Sequence, residues 1–260
     1  MTPSLGKKFI SELVGTWMLV FFGAGAAAVT LVMAEGEPRA TEFNIGIGAL
    51  GGLGDWLAIG LAFAFVIMAA IYVFGPISGC HINPAVTIAL WASKRFPGKE
   101  VVPYLVAQFI GAFLGAVTIY GVLGPRGAMV GGLGAPAPFP GVSAGSAFLA
   151  EGIGTFMLIL AIAGIALSKN APPGWAGLVI GLYVAGCVTT TGNIAGSGIN
   201  PARTFGPYLA NTLFGGPNLW GHFWIFLIAP IVGAVIAIFL FDYLTATVQE
   251  RSARQASAGS

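Results

Sequence analysis

"SGCHINPAVT", residues 78–87, sets an Asn-Pro pair inside a long uncharged stretch, and "SGINPART", residues 197–204, repeats its core. Proline breaks a helix already under way, because it lacks a backbone N–H and its ring clashes with the preceding turn. Asn followed by Pro is instead a way to begin a helix. Asn caps it, and Pro suits the first helical position, whose N–H would have no partner anyway. Asn83-Pro84-Ala85 and Asn200-Pro201-Ala202 are therefore read as two helix starts. The apolar runs behind them, 84–92 and 201–213, cross only part of a bilayer at about 1.5 Å of rise per residue.

Composition shows that the surroundings are hydrocarbon. Of 260 residues, 57% are apolar and only 8% charged, where soluble domains carry about 25% charged residues. A net charge of +2 is too small to suggest a nucleic-acid partner. Cys80 and Cys187 lie in apolar surroundings and suggest no disulfide framework. Six stretches are long enough to span as helices: 9–32, 56–76, 101–123, 144–168, 174–192 and 219–245. The first mimics a secretory signal, yet it recurs inside the chain and is read as a span.

"ELVGTWMLVFFGAG" from Glu12 matches "EGIGTFMLILAIAG" from Glu151, and "LVAQFIGA" from Leu105 matches "LIAPIVGA" from Leu227. The Asn-Pro copies sit between these landmarks in the same order. The chain therefore reads as one domain over 1–260, built of two copies, about 9–123 and 144–245. Each copy holds an odd number of full spans, so the second enters the membrane from the opposite face. The expected fold is an all-α membrane protein: six transmembrane helices plus two re-entrant half-helices in an inverted 3+3 repeat. Ala107, Gly111 and Gly115, then Ala229, Gly233 and Ala237, and Gly177 with Gly181, recur every four residues. Such small residues let helix backbones approach closely in lipid. Lys7, Lys8, Lys94, Arg95, Lys99, Lys169, Arg251 and Arg254 fall on one side, with Arg39 and Arg126 opposite. The positive-inside rule then places both termini in the cytoplasm.

Two helix starts dipping from opposite faces meet near the midplane. In a cap the Asn oxygen accepts a backbone N–H, and the amide NH2 can only donate. Asn83 and Asn200 are thus expected to present free donors, each backed by about +0.5 elementary charge from its helix N-terminus. A water molecule there turns its oxygen to both donors and its hydrogens outward. It cannot accept from its neighbours in the file, so it relays no proton, and the positive helix ends repel cations. Gly79, Cys80, His81 and Ile82, and likewise Gly198 and Ile199, are expected to line the path as non-helical backbone whose carbonyls accept from solutes.

These motifs resemble the aquaporin and aquaglyceroporin (major intrinsic protein) family, over nearly the whole chain. The resemblance rests on the paired NPA motifs, "SGCHINPAVT", "GINPARTFGP" and the ExxGT repeats at Glu12 and Glu151, and "ISGCHINPAVT" is shared with archaeal members. It implies a homotetramer with one pore per subunit, and an outer constriction of four residues. By the family's spacing these are Phe63, Val188, Ser197 and Arg203. Water-specific members usually carry His where this chain has Val188, and glycerol facilitators follow the arginine with Asp where this chain has Thr204. The expected function is a passive channel for water, with glycerol, other small neutral solutes or gases as slower cargo, excluding protons and ions.

Competing readings attach to particular residues. Arg203 in a membrane segment costs several kcal/mol unless it faces a cavity or a partner. Glu12 and Glu151 are intramembrane acids, either supports for the non-helical stretches or, in a secondary transporter with broken helices, sites for coupling ions. A closed pore in a structural junction protein is a third reading. His81 beside Cys80 is too few ligands for a metal site, and His222 is read as interfacial. "GIGALG" at 46–51 matches a dinucleotide pattern with no strand before it and no acid about twenty residues on. Ser197 with a histidine carries no support for an oxyanion site, so no enzyme, cofactor or catalytic residue is expected. The 124–142 loop and the tail from about 249 are uninformative, and the tail is read as flexible.

Overall fold

Eight helices order the chain among the described residues: α1 (Leu5–Ala34), α2 (Leu53–Ser78), α3 (Pro84–Ala92), α4 (Gly98–Met129), α5 (Ala144–Leu167), α6 (Ala176–Ala195), α7 (Pro201–Phe214) and α8 (Phe223–Ala258). The structure is a computed structural model that describes residues 2–35 and 53–258, with side chains as far as residue 246. The 46–51 glycine pattern and Arg39 lie outside the described residues. Six helices are long and apolar enough to cross a membrane. The short ones are α3, of 9 residues, and α7, of 14; at the helical rise these reach about 14 and 21 Å against hydrocarbon about 30 Å thick.

Local chemistry explains where the helices begin. Ser4 accepts from Lys7 N at the start of α1, and Ser143 from Ser146 N at the start of α5. Asn83 and Asn200 do the same for α3 and α7, each with Pro in the first turn. Gly215, in the left-handed region, closes α7.

Packing is duplicated along the chain. α1 lies along α4, with Gly111 and Gly115 against the Leu13 and Trp17 carbonyls. α5 lies along α8, where Gly233 meets the Gly152 carbonyl. α2 crosses α6 with Gly181 over the Ala64 carbonyl and Gly60 over that of Ala185. A β-carbon at these glycines would stand under 3 Å from backbone, so each crossing needs its small residue.

Two expectations are corrected. The third span does not end at 123. It continues to Met129 through a break at Gly124, whose φ of 65° ends regular helix geometry while the next turn resumes. The segment after it, on which the sequence is uninformative, is tied down: Leu133 is buried, the Gly132 carbonyl accepts from Asn211 Nδ2, and the Pro136 carbonyl accepts from the Tyr208 hydroxyl. At the other end, α8 carries helical backbone through Ala258, where a flexible tail is expected from composition.

Candidate functional site

The tips of α3 and α7 meet. Asn83 Oδ1 accepts from Ala85 N at 2.9 Å, and Asn200 Oδ1 accepts from Ala202 N at 3.0 Å and Arg203 N at 3.2 Å. Asn83 Nδ2 donates to the Ile199 carbonyl at 2.9 Å and Asn200 Nδ2 donates to the Ile82 carbonyl at 2.8 Å. This corrects the picture of wholly free amides. One N–H of each is spent across the junction, because the backbone before each cap turns its last carbonyl toward the opposite Asn. The second N–H of each amide remains for the cavity both residues line. By the same exchange, the Ile82 and Ile199 carbonyls each give one lone pair to protein. Pro84, Ala85, Pro201 and Ala202 are buried in the helix starts behind the tips.

The backbone entering each tip is contorted in the same way. Gly79, Cys80 and Ile82 have φ of 86°, 50° and 43°, and Gly196, Ser197 and Ile199 have 85°, 44° and 39°. Left-handed backbone costs a non-glycine residue about 1–2 kcal/mol, so four such residues need holding. Two carboxylates hold them. Glu12 accepts from His81 N at 2.9 Å, Ile82 N at 2.6 Å, Ser78 Oγ at 2.7 Å and Gln108 Nε2 at 2.8 Å. Glu151 accepts from Gly198 N at 2.7 Å and Ile199 N at 2.5 Å. Three residues after each acid, Gly15 and Gly154 leave room for the inverted isoleucines. A β-carbon there would lie 2.7 Å from Ile82 Cγ2 or 3.0 Å from Ile199 Cγ2. The ExxG pattern thus joins an acceptor for the strained N–H groups to a gap for the strained side chain.

A cavity of about 580 Å³ runs past these tips, lined by Gly79, Cys80, His81, Ile82 and Asn83 from one repeat and Ser197, Gly198, Ile199, Asn200 and Arg203 from the other. Phe63 and Val188 line it too. The Arg203 Cζ stands 5.3 Å from the Phe63 ring centre. Arg203 is 3% exposed, and its Nε and Nη1 have no hydrogen-bond partner. Ser197 Oγ is tied to Thr191 Oγ1 at 2.6 Å, which turns part of its polarity into the wall. A smaller cavity of about 210 Å³, walled by Trp56, Phe139 and Pro136, shares Arg203 with the larger one. His81 is buried between the rings of Phe96 and Tyr104, and its Nδ1 lies 3.1 Å from Thr87 Oγ1. His222 is exposed at the start of α8.

Sequence reasoning passed over Gln108, Thr191, Ser78 and the glycines of ExxG. Gly15 and Gly154 had a signal, since the repeat carries both.

A profile of the major intrinsic protein family matches residues 1–241. The chain is similar to a probable aquaporin AqpM of Archaeoglobus fulgidus, 63% identical and covering 94% of this chain and 99% of that one. The aquaporin AqpM of Methanothermobacter marburgensis is 60% identical over 93% of this chain and 98% of its own. Among solved structures, the aquaglyceroporin from Plasmodium falciparum aligns at a TM-score of 0.77 and 28% identity, covering 94% of this chain and 98% of that chain.

Proposed function

The chain belongs to the major intrinsic protein family, and from that premise we propose how its residues divide the work of a passive channel for water that also admits glycerol more slowly. The protein is a multi-pass membrane channel for water and small neutral solutes and not an enzyme. In our reading Asn83 and Asn200 orient each passing molecule with their remaining N–H groups, and Phe63, Val188, Ser197 and Arg203 form the constriction. The observation that carries this reading is the pair of unpartnered guanidinium nitrogens, Nε and Nη1, on buried Arg203. A buried donor left unpaired costs about 1–3 kcal/mol, and an oxygen of a molecule in transit relieves that cost in passing. The same guanidinium, with two helix N-termini at the midplane, raises the energy of any cation in the file.

The transporter reading needs Glu12 and Glu151 to offer lone pairs to an ion. Glu12 is fully buried with four donors upon it, about the capacity of one carboxylate. Glu151 is buried with both of its oxygens on the Gly198 and Ile199 N–H groups, so support for a non-helical stretch is the role each geometry fits better.

Two finer points extend the proposal. We read residues 9–123 and 144–245 as the inverted copies, consistent with the matched Asn, Glu and Gly roles. We also read the assembly as a homotetramer with cytoplasmic termini. The cytoplasmic reading of the termini rests on the greater number of Lys and Arg on their side, Lys7, Lys94, Lys99 and Lys169 among them. Native mass measurement in detergent is expected to give four chains per particle; a monomer would contradict the tetramer.

The functional test is stopped-flow light scattering of proteoliposomes, running water and glycerol side by side. Water flux is expected well above protein-free vesicles and glycerol flux measurable but smaller. Acceleration of neither solute would overturn the channel.

A further inference from the structure

Helix α1 passes behind Phe63, and at the point of contact it carries Gly23. A β-carbon built on Gly23 would lie 2.1, 2.2 and 2.6 Å from Cδ1, Cε1 and Cγ of the Phe63 ring. Carbon atoms in good contact stand about 3.5–4.0 Å apart, so the ring fills the space a side chain would take. Gly23 is buried and belongs to the π-helical turn Val20–Ala24, a rare form that recurs at functional sites. The Arg203 guanidinium carbon stands 5.3 Å from the same ring's centre. Leu19, Ile59 and Val188 pack in the same core cluster as the ring. Phe63 lines the cavity and Gly23 does not, so a ring pushed off α1 is pushed toward the lumen.

We infer that Gly23 is a specificity-positioning residue of the channel: its bare backbone lets the Phe63 ring recess into α1, and the depth of that recess sets the lumen width opposite Arg203. The inference rests on the reading of Phe63, Val188, Ser197 and Arg203 as the constriction. Gly23 itself is not among the residues lining the cavity, so it acts only through the ring. A methyl group at Gly23 must move the ring by more than about 1 Å to restore ordinary contact. Narrowing of that size weighs most on the bulkiest solute.

The test compares water and glycerol fluxes through Gly23→Ala and wild-type protein in proteoliposomes of equal protein content. Glycerol flux is expected to fall about tenfold and water flux about twofold, the scale of one overpacked methyl group. Should the wild type pass water alone, water flux is the readout and must itself fall. In a Phe63→Leu background there is no ring to push, so adding Gly23→Ala is expected to leave the water-to-glycerol ratio unchanged. An unaltered ratio in Gly23→Ala, or the same change in both backgrounds, overturns the inference. If Gly23→Ala fails to fold, Phe63→Leu must restore its melting temperature; no restoration also overturns it. A wild type that conducts nothing refutes the channel reading instead.

Discussion

Val188 leaves Arg203 as the polar member of a wall otherwise made by Phe63 and a serine whose hydroxyl is engaged by Thr191. Substituting Val188→His adds both bulk and a hydrogen-bonding ring at that level. Glycerol flux is expected to fall about tenfold and water flux by less, as narrowing with a new polar contact discriminates by size; stopped-flow rates on one preparation check this, and equal losses would contradict the constriction as assigned. Asn83, Asn200, Glu12, Glu151 and Arg203 were legible as residues because each breaks the chemistry of an apolar stretch, and four of the five occur as pairs. Gln108 and Thr191 were not legible: a lone glutamine in a span, or one of three consecutive threonines, shows no partner until the fold supplies Glu12 or Ser197. Gly23 was hidden for a related reason, since it sits in a run of small residues and its ring partner lies forty positions away.

Each half-helix is held by an acid from another helix, and that dependence is testable. Glu12→Gln keeps one acceptor oxygen but turns an NH2 group toward donors, leaving the His81 and Ile82 N–H groups in competition for it. Unsatisfied buried donors cost about 1–3 kcal/mol each, so the melting temperature in detergent is expected to drop by several degrees and water flux per chain to fall with it. An ion-coupling acid would behave otherwise, with stability kept and only an ion-driven flux lost. Elements themselves were readable to within a few residues, since bilayer thickness sets the length of a span and Asn-Pro marks a start. The starts of α3 and α7 fall on Pro84 and Pro201. What hydropathy could not supply was the course after residue 123, where a glycine break is followed by more helix and then by buried turns. Those turns are held by Asn211 and Tyr208, contacts between segments some seventy residues apart that leave no local pattern.

At the scale of the whole molecule, duplication gives two cap amides, two helix N-termini and two carboxylate supports arranged about one passage. In the proposed reading, water meets the Asn donors and then the Arg203 charge, so it is turned as it passes and charge is opposed twice. The ion pairs Lys8–Glu100, Arg95–Asp242 and Arg126–Glu35 are part-exposed, and such pairs contribute at most about 1 kcal/mol each. The central claim is that one path conducts water and stops protons, and both can be followed in the same vesicles. Proteoliposomes loaded with a pH-sensitive dye are given an osmotic step and a pH step together. Shrinkage is expected to be several times faster than in protein-free vesicles while the interior acidifies no faster than theirs. Acidification that accelerates along with shrinkage, or no acceleration of shrinkage at all, would contradict the account.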